Sequence, residues 1–476
     1  MNFAERHGLW TDEQAVLARE IEGRIAKGEI DLMRLSFADQ HGILRGKSLI
    51  ADDKLSLGNG CALTTTLLLK DTSHRTVFPV WQPGGAMNEN RLDGASDFTL
   101  VPDPATFRML PWAPGTGWVL CDIYYGDGAP MPFSTRQILR NQLARLEEQG
   151  KSLITGLEVE FHVFQPLEER LAPEDATHPG AVPGVELIAQ GYQYLTENRF
   201  DELADIMDLI RTNLIGLGLP LRSMEVEFGP SQVELTFHPD DALTNADNFV
   251  LLRGAVKQVC EREGLHATFM CRPHLTNIFS SGWHLHQSIT DAKSGENLFA
   301  GEGEDILSAY GLHYAGGLLE HAHATSVFTT PTINGYKRYR PHALAPDRAV
   351  WGYDNRGTMI RACGQPGDDS AHIENRAGEP AANSYLYTAS QIIAGLDGVE
   401  KSIGPGPAAD APYDAAAARL PTSLMDAVSA LRKSRLFKEQ LGEGFIEYIC
   451  TIKEAEISRF LSETTDWEMR EYFQSF

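Results

Sequence analysis

Four stretches of the 476-residue chain set ionisable side chains two residues apart, the spacing that puts both on one face of a β-strand. In GLEVEFHVF the pair is Glu158 and Glu160, with Leu157, Val159, Phe161 and Val163 on the opposite face. Two carboxylates projecting together into the space a sheet face encloses call for cations. In EVEFGPSQVEL, Glu227 and Glu234 flank a Gly-Pro turn that can fold two acids back towards one point. Glu225 shares the face of Glu227, so spacing leaves the choice between them open. SSGWHLHQS places His284 and His286 on one face behind a glycine, and neutral imidazole is a common ligand of transition metals. AHIENR sets Glu374 beside Arg376.

Each stretch alone has a plainer reading: a solvated strand face, exposed loop acids, a structural histidine pair, an ion pair. Together they say more. Five glutamates and one histidine can hold two divalent cations. The arginines of YKRYR and NRGTMIRAC, among them Arg356 and Arg361, can neutralise a transferring phosphoryl group. The set points to metal-assisted phosphoryl transfer. Neither a P-loop nor a kinase signature is present, and LIGLGLP does not match GxGxxG.

The elements that must position these residues can be read from the same chain. Thr11 and Gln14 form a capping box for a helix over 12–27, stopped by Gly28. LMRLSFA (32–38) and ILRGKSLI (43–50) read as a hairpin, 71–94 as a long loop, and 97–103 and 118–125 as two further strands. The Gly- and Pro-rich GDGAPMPFS marks a boundary, followed by a helix capped by Ser134. We expect an α+β protein with a small domain over 1–130 and a larger one over 131–476. In the second, strands (LEVEFHVF, QVELTF, GWHLHQSI, HIENR) alternate with helices near 241–263, 305–323 and 384–399, and GPGP at 404–407 leads into a helical tail.

Composition narrows the class. With 41 Lys+Arg against 65 Asp+Glu the net charge is −24, which repels phosphate backbones and anionic membranes, so nucleic acid and membrane are poor partners. Six scattered cysteines without a CxxC pair suit a reducing compartment. No stretch approaches the ~18 apolar residues of a membrane span, and MNFAERHGLW has no basic n-region before an apolar run. The expected location is cytoplasmic.

The order of SDFTLVPD, GLEVEFHVF, EFGPSQVE, ATFMCRP, SSGWHLHQS, PTINGYKR, NRGTMIR and IENRAGEPAANSYL, over about residues 96–386, resembles the glutamine synthetase superfamily, close to its bacterial type I branch. The resemblance implies a β-grasp-like N-terminal domain, a catalytic domain whose strands form a half-barrel, and homo-oligomeric rings, such as a dodecamer, with active sites between subunits. It implies that Glu160, Glu227 and Glu234 hold one Mg2+ or Mn2+, and Glu158, His284 and Glu374 another. Arg338 and Arg376 match arginines that grip glutamate and its phosphorylated form; Arg356 and Arg361 match those facing the ATP phosphates, with His286 and Ser288 nearer the nucleotide. The implied reaction is attack of the glutamate side-chain carboxylate on the γ-phosphate of ATP, giving γ-glutamyl phosphate.

Departures from the family concern the amine. Where the family carries an Asp that helps hold ammonium, this chain reads LGNGCALTTTLLLK, with Leu63 and Thr64 and no acid between Asp53 and Asp71. The acid that closes the site six residues beyond the Arg of the YKR segment is Leu344; Asp97 matches a third acid, so the loss is partial. A cation gains little from Leu, Thr and Ala, whereas an apolar amine gains roughly 25 cal/mol per Å2 buried. An arylamine is already neutral and needs no base. We therefore expect a γ-glutamylamide synthetase, with an aniline-like amine first and a small alkylamine or polyamine second. Phe279 and Ser280 replace an Asn-Gly pair near the glutamate amino group, and His372 replaces an Arg. The competing readings are a true glutamine synthetase, a non-catalytic relative kept for assembly, and a metal hydrolase that uses the same acids.

Overall fold

The structure is a computed structural model that describes residues 1–87, 89–168, 172–414 and 416–476. The first long helix, Asp12–Ala26, begins at the Thr11 capping box and contributes Ala18, Ile21 and Ile25 to the core. Strands β1 (Leu32–Ala38), β2 (Leu44–Ile50), β3 (Cys61–Thr64), β4 (Asp97–Pro102), β5 (Arg108–Met109) and β6 (Thr116–Tyr124) follow. They make one sheet in the order β2-β1-β6-β4-β3, with β5 against β6. β1 pairs antiparallel with β2, as the hairpin reading requires, and parallel with β6. Its alternation buries Met33, Leu35 and Phe37.

The second sheet contains β7 (Lys151–Pro166), β8 (Val185–Leu187), β9 (Leu221–Val226), β10 (Gln232–Phe237), β11 (Asp240–Asp241), β12 (His266–Thr268), β13 (Trp283–Asp291), β14 (Trp351–Tyr353), β15 (Ile360–Cys363) and β16 (His372–Asn375). Its main path runs β14-β15-β16-β13-β7-β10-β9. One face packs on helices Thr135–Glu147, Ala242–Arg262 and Ser384–Glu400. Trp283 fixes the orientation of β13, stacking on Phe249 at 3.8 Å and meeting Tyr387 edge-on at 4.8 Å. Because side chains alternate, Leu285 and Ile289 follow it into the helical layer, and His284, His286 and Ser288 emerge on the other side. The mixed α+β architecture is as expected.

Local differences have local causes. The helix expected over 305–323 starts at Ala309, where the Ser308 hydroxyl caps it by accepting from the Gly311 amide at 3.1 Å. It ends at Glu320, and a second helix runs from Ala322 to Thr329. The 71–94 loop closes with a 3-10 turn at Asn90–Ala95. All six cysteines are unpaired. Among the described residues no helix is long and apolar enough to cross a membrane.

A buried ion network joins the N-terminal sheet to the helical layer of the second sheet. Arg136, on the first helix of the larger unit, reaches Asp103 at 2.9 Å and Asp122 at 3.0 Å from the N-terminal sheet region, and Asp247 at 2.6 Å on the long helix. Burial disfavours the charge on Arg136, but Asp247 and Asp122 outweigh it and hold the guanidinium firmly protonated. Arg140 adds a 2.8 Å contact to Asp103. Removing one partner of such a network leaves uncompensated buried charge. Arg136→Ala is therefore expected to cost about 3–5 kcal/mol, read as a lowered urea midpoint; an unchanged midpoint would show that the three carboxylates relax without it.

Candidate active site

Strand register assembles the site. Glu160 lies opposite Glu234, and Glu234 opposite Glu225. Glu158 lies opposite His284, His286 opposite Glu374, and Glu374 opposite Arg361. A transverse row of charged side chains thus crosses six strands on the face away from the helices, because each strand places its apolar residues on the other face.

Within that row, donor atoms of Glu158, Glu234 and His284 lie within 4.8 Å of one another, as do those of Glu158, His286 and Glu374. His284 Nδ1 is 2.6 Å from Glu158 and 3.4 Å from Glu374, and its Nε2 is 3.7 Å from Glu160. Glu158 is the member common to both groups. His286, expected nearer the nucleotide, stands with Glu158 and Glu374. Glu227 joins the cluster electrostatically: it is the second-largest cause of the raised Glu160 carboxyl and one of the charges raising Glu234. The Glu225 carboxylate accepts from Ser223 Oγ at 2.9 Å.

The charges strain against one another. Burial, then the carboxylates of Glu158, Glu160 and Glu227, push Glu234 up to about 11. Burial and Glu227 push Glu160 up to about 8. Burial also opposes ionisation of Glu374, but Arg376 and the two histidines outweigh it and hold the carboxyl at about 2. Burial lowers His284 to about 4, with Arg376 adding to the effect, so its imidazole is neutral and able to ligate. A buried set of oxygen donors that resists ionisation, beside neutral imidazole, fits divalent cations.

The arginines frame this cluster. Arg338 donates to the carbonyl of Arg376 at 2.8 Å and approaches His284 Nε2 at 3.1 Å. It packs so closely on Gly282 that a Cβ there would meet Nη2 at 2.5 Å, which is why a glycine precedes the histidine strand. Arg376 pairs with Glu374, and its Nη2 reaches the Leu344 carbonyl at 3.4 Å. Arg361 contacts Glu374 at 3.1 Å and Asp354 through Nε at 3.0 Å. The Arg356 side chain is exposed, and its carbonyl accepts from Arg376 Nε. Ser288, His286, His372, Arg361 and Cys363 line a cleft of about 810 Å3 beside the cluster. Burial pushes the Cys363 thiol up to about 12.

One partner escaped the sequence reading. Gln232 donates to Glu160 at 3.0 Å and to Ser281 Oγ at 3.0 Å, while its Oε1 accepts from the Gly229 amide at 2.9 Å. Its signal was available, since it stands two residues before Glu234 and shares its face. His372 contacts Ser370 O through Nδ1 at 2.6 Å and lies 3.0 Å from His286 Nδ1, making a chain that reaches Glu158 through His286 Nε2 at 3.2 Å.

The residues expected around the amine are dispersed. Leu344 is 63% exposed with a left-handed φ of 52°, on the loop whose carbonyl meets Arg376. Leu63 is buried in the core of the N-terminal sheet, whereas Thr64, on the opposite face of β3, bonds Ala95 O at 3.2 Å. Asp97 is exposed opposite Thr64. None of Leu63, Thr64 and Asp97 lines the cleft beside His286.

The glutamine synthetase catalytic-domain family matches residues 132–472. The chain belongs to the glutamine synthetase family. It is 40% identical to a gamma-glutamylanilide synthase of Acinetobacter sp, over 99% of each chain. It is 33% identical to a gamma-glutamylethanolamide synthetase of Streptomyces coelicolor, over 96% of this chain and 95% of that one. The solved structure described as apo GmaS without ligand superposes with a TM-score of 0.79 at 28% identity, covering 95% of this chain and 99% of that one. As a glutamine synthetase family member the protein is an ATP-dependent carbon–nitrogen ligase. Members use ATP and divalent metal ions, in keeping with the donor set of Glu158, Glu234, His284, His286 and Glu374.

The electrostatics have a pH signature. Glu160 and Glu234 titrate above their unfolded value, so the stability they lend as neutral acids is full below about 4.5 and is lost as pH rises towards 8 and beyond. Glu374 has the opposite sign, but its loss lies at acid pH near 2. The chelated protein should therefore lose thermal stability between pH 6 and 8, and saturating Mg2+ or Mn2+ should raise the melting temperature more at pH 8 than at pH 6. Calorimetry at matched ionic strength checks this; an equal metal shift at both pH values would contradict it.

Proposed function

We propose that this ligase joins the γ-carboxyl group of L-glutamate to an organic amine, with aniline or a similar arylamine as the preferred acceptor, through γ-glutamyl phosphate. The observation that carries the reading is Leu344. Its carbonyl is tied to Arg376, so an apolar side chain stands on the loop beside an arginine that would grip glutamate, where the family has an acid. A charged ammonium ion finds no cage there and no base to take its proton. A neutral arylamine needs neither. The resemblance over full length to a gamma-glutamylanilide synthase supports the same acceptor class.

In this reading Glu160, Glu227 and Glu234, and Glu158, His284 and Glu374, are the ligands of two Mg2+ or Mn2+ ions, which when bound would offset the charge of the γ-phosphate. Arg338 and Arg376 orient the glutamate carboxylate, and Arg356 and Arg361 face the phosphates, with His286 and Ser288 on the nucleotide side. The carboxylate oxygen forms a bond to γ-phosphorus as the bond to ADP breaks. The amine nitrogen then attacks the acyl carbon as the bond to phosphate breaks, and the departing phosphate takes the proton that the nitrogen gives up. Asp97 and Thr64, exposed or half-buried in one chain, would meet a neighbouring subunit's site in a ring of copies, with residues 1–130 and 131–476 as the two domains. A small alkylamine or polyamine is the second reading, and ammonium, favoured by the retention of Asp97, a further one.

ADP release with glutamate fixed and the amine varied is the test. Aniline should exceed alkylamines, and both should exceed ammonium. Leu344→Glu should raise kcat/KM for ammonium by about ten-fold, equivalent to about 1.4 kcal/mol of transition-state stabilisation, and lower it for aniline. A wild-type preference for ammonium would overturn the reading.

A further inference from the structure

Three aromatic rings gather where Glu227 enters the carboxylate cluster. Phe228 and Phe279 meet at 4.7 Å between centroids, and Tyr192 completes the group at 5.6 Å from Phe228 and 5.7 Å from Phe279, all edge-on. The group is tied to the acids by backbone and amide contacts. The Phe228 amide donates to Glu227 Oε2 at 2.9 Å. Gln232 links Gly229, which follows Phe228, to Ser281, which follows Phe279 by two, and to Glu160. Phe279 stands three residues before Gly282, the glycine packed on Arg338.

The surface is apolar and open. Tyr192 is 40% exposed, Tyr194 50% and Leu195 53%, while Phe228 and Phe279 are half-buried. The segment carrying them is held against the strand end, with Tyr192 N donating to Phe228 O at 2.8 Å and Tyr192 Oη to Asn277 O at 2.6 Å. Tyr192 and Leu195 keep left-handed φ values of 62° and 55°, an arrangement bulky side chains adopt only where the surroundings impose it. Burial, then Glu227, Glu234 and Glu225, push the neighbouring Tyr194 phenol up to about 12.

We propose that Tyr192, Phe228 and Phe279 form the wall against which the aromatic body of the acceptor amine packs. The inference rests on the arylamine reading above. Through Gly282 and Gln232 the ring-bearing segments connect to Arg338 and Glu160, so an amine whose body lay along this edge of the carboxylate cluster would make offset or edge-to-face ring contacts that favour an aryl group over an alkyl one. Phe228 and Phe279 determine the choice; Tyr192, anchored by its hydroxyl, buttresses them.

The test is the ratio of kcat/KM for aniline to that for ethylamine, with glutamate and ATP saturating. In Phe279→Ala and Phe228→Ala the ratio should fall at least ten-fold, and in Phe279→Tyr it should stay near wild type. Phe279→Leu keeps volume and apolarity without the ring and should lower the ratio several-fold; it carries the test should an Ala variant fail to show a cooperative melt. An unmoved ratio in the Ala and Leu variants, with wild type active on aniline, overturns the wall and leaves the arylamine reading standing. Wild type inert to aniline overturns both.

Discussion

Mutual repulsion among buried carboxylates on one sheet face is the constraint around which the rest is arranged. Glu158, Glu160, Glu227 and Glu234 cannot all ionise in that space unaided, and burial together with like charge pushes Glu160 and Glu234 far above the ordinary carboxylate range. The surrounding cations are placed in answer to it: Arg376 and Arg361 on Glu374, Arg338 over His284. The helical layer behind, pinned by Trp283 on Phe249, denies the strands any freedom to turn the acids outward. A binding site for cations is what results when side chains that would repel are held together by register and packing.

Much of this was legible in the sequence, because period-two alternation is a local signal. The opposition of Glu158 and Glu160 to Val159 and Phe161 could be read from nine residues, and so could the shared face of His284 and His286. What local pattern does not carry is cross-strand partnership. That Glu158 is common to two donor groups, and that His286 stands among the acids, follows from the register of β7 with β13 and of β13 with β16, which adjacent residues do not encode. The choice between Glu225 and Glu227 was likewise open to spacing; in the fold the Glu225 carboxylate accepts from Ser223 and Glu227 acts on Glu160, while both act on Glu234. Leu63 shows the converse: its type suited an apolar pocket, but alternation turns it into the N-terminal core and leaves Thr64 facing out.

The N-terminal sheet is joined to the helices of the larger unit by charge as well as by apolar contact. Arg136 gathers Asp103 and Asp122 from the N-terminal sheet region and Asp247 from the long helix, and Asn383 donates to the carbonyl of Asp39 at 3.0 Å across the same junction. Such polar junctions are geometrically demanding: each donor must meet its acceptor or remain an uncompensated buried charge. They fix the orientation of the N-terminal sheet relative to the catalytic strands more tightly than greasy contact alone would.

Cys363 draws one further consequence from the cleft. It is the only sulfur lining that space among the described residues, and burial keeps it a neutral thiol across the physiological range. A protonated sulfur is a poor nucleophile, so Cys363 reacts slowly with alkylating agents and peroxides. The donors that this cleft offers without first losing a proton are oxygens and imidazole, and a thiophilic ion must displace the thiol proton before it can bind there.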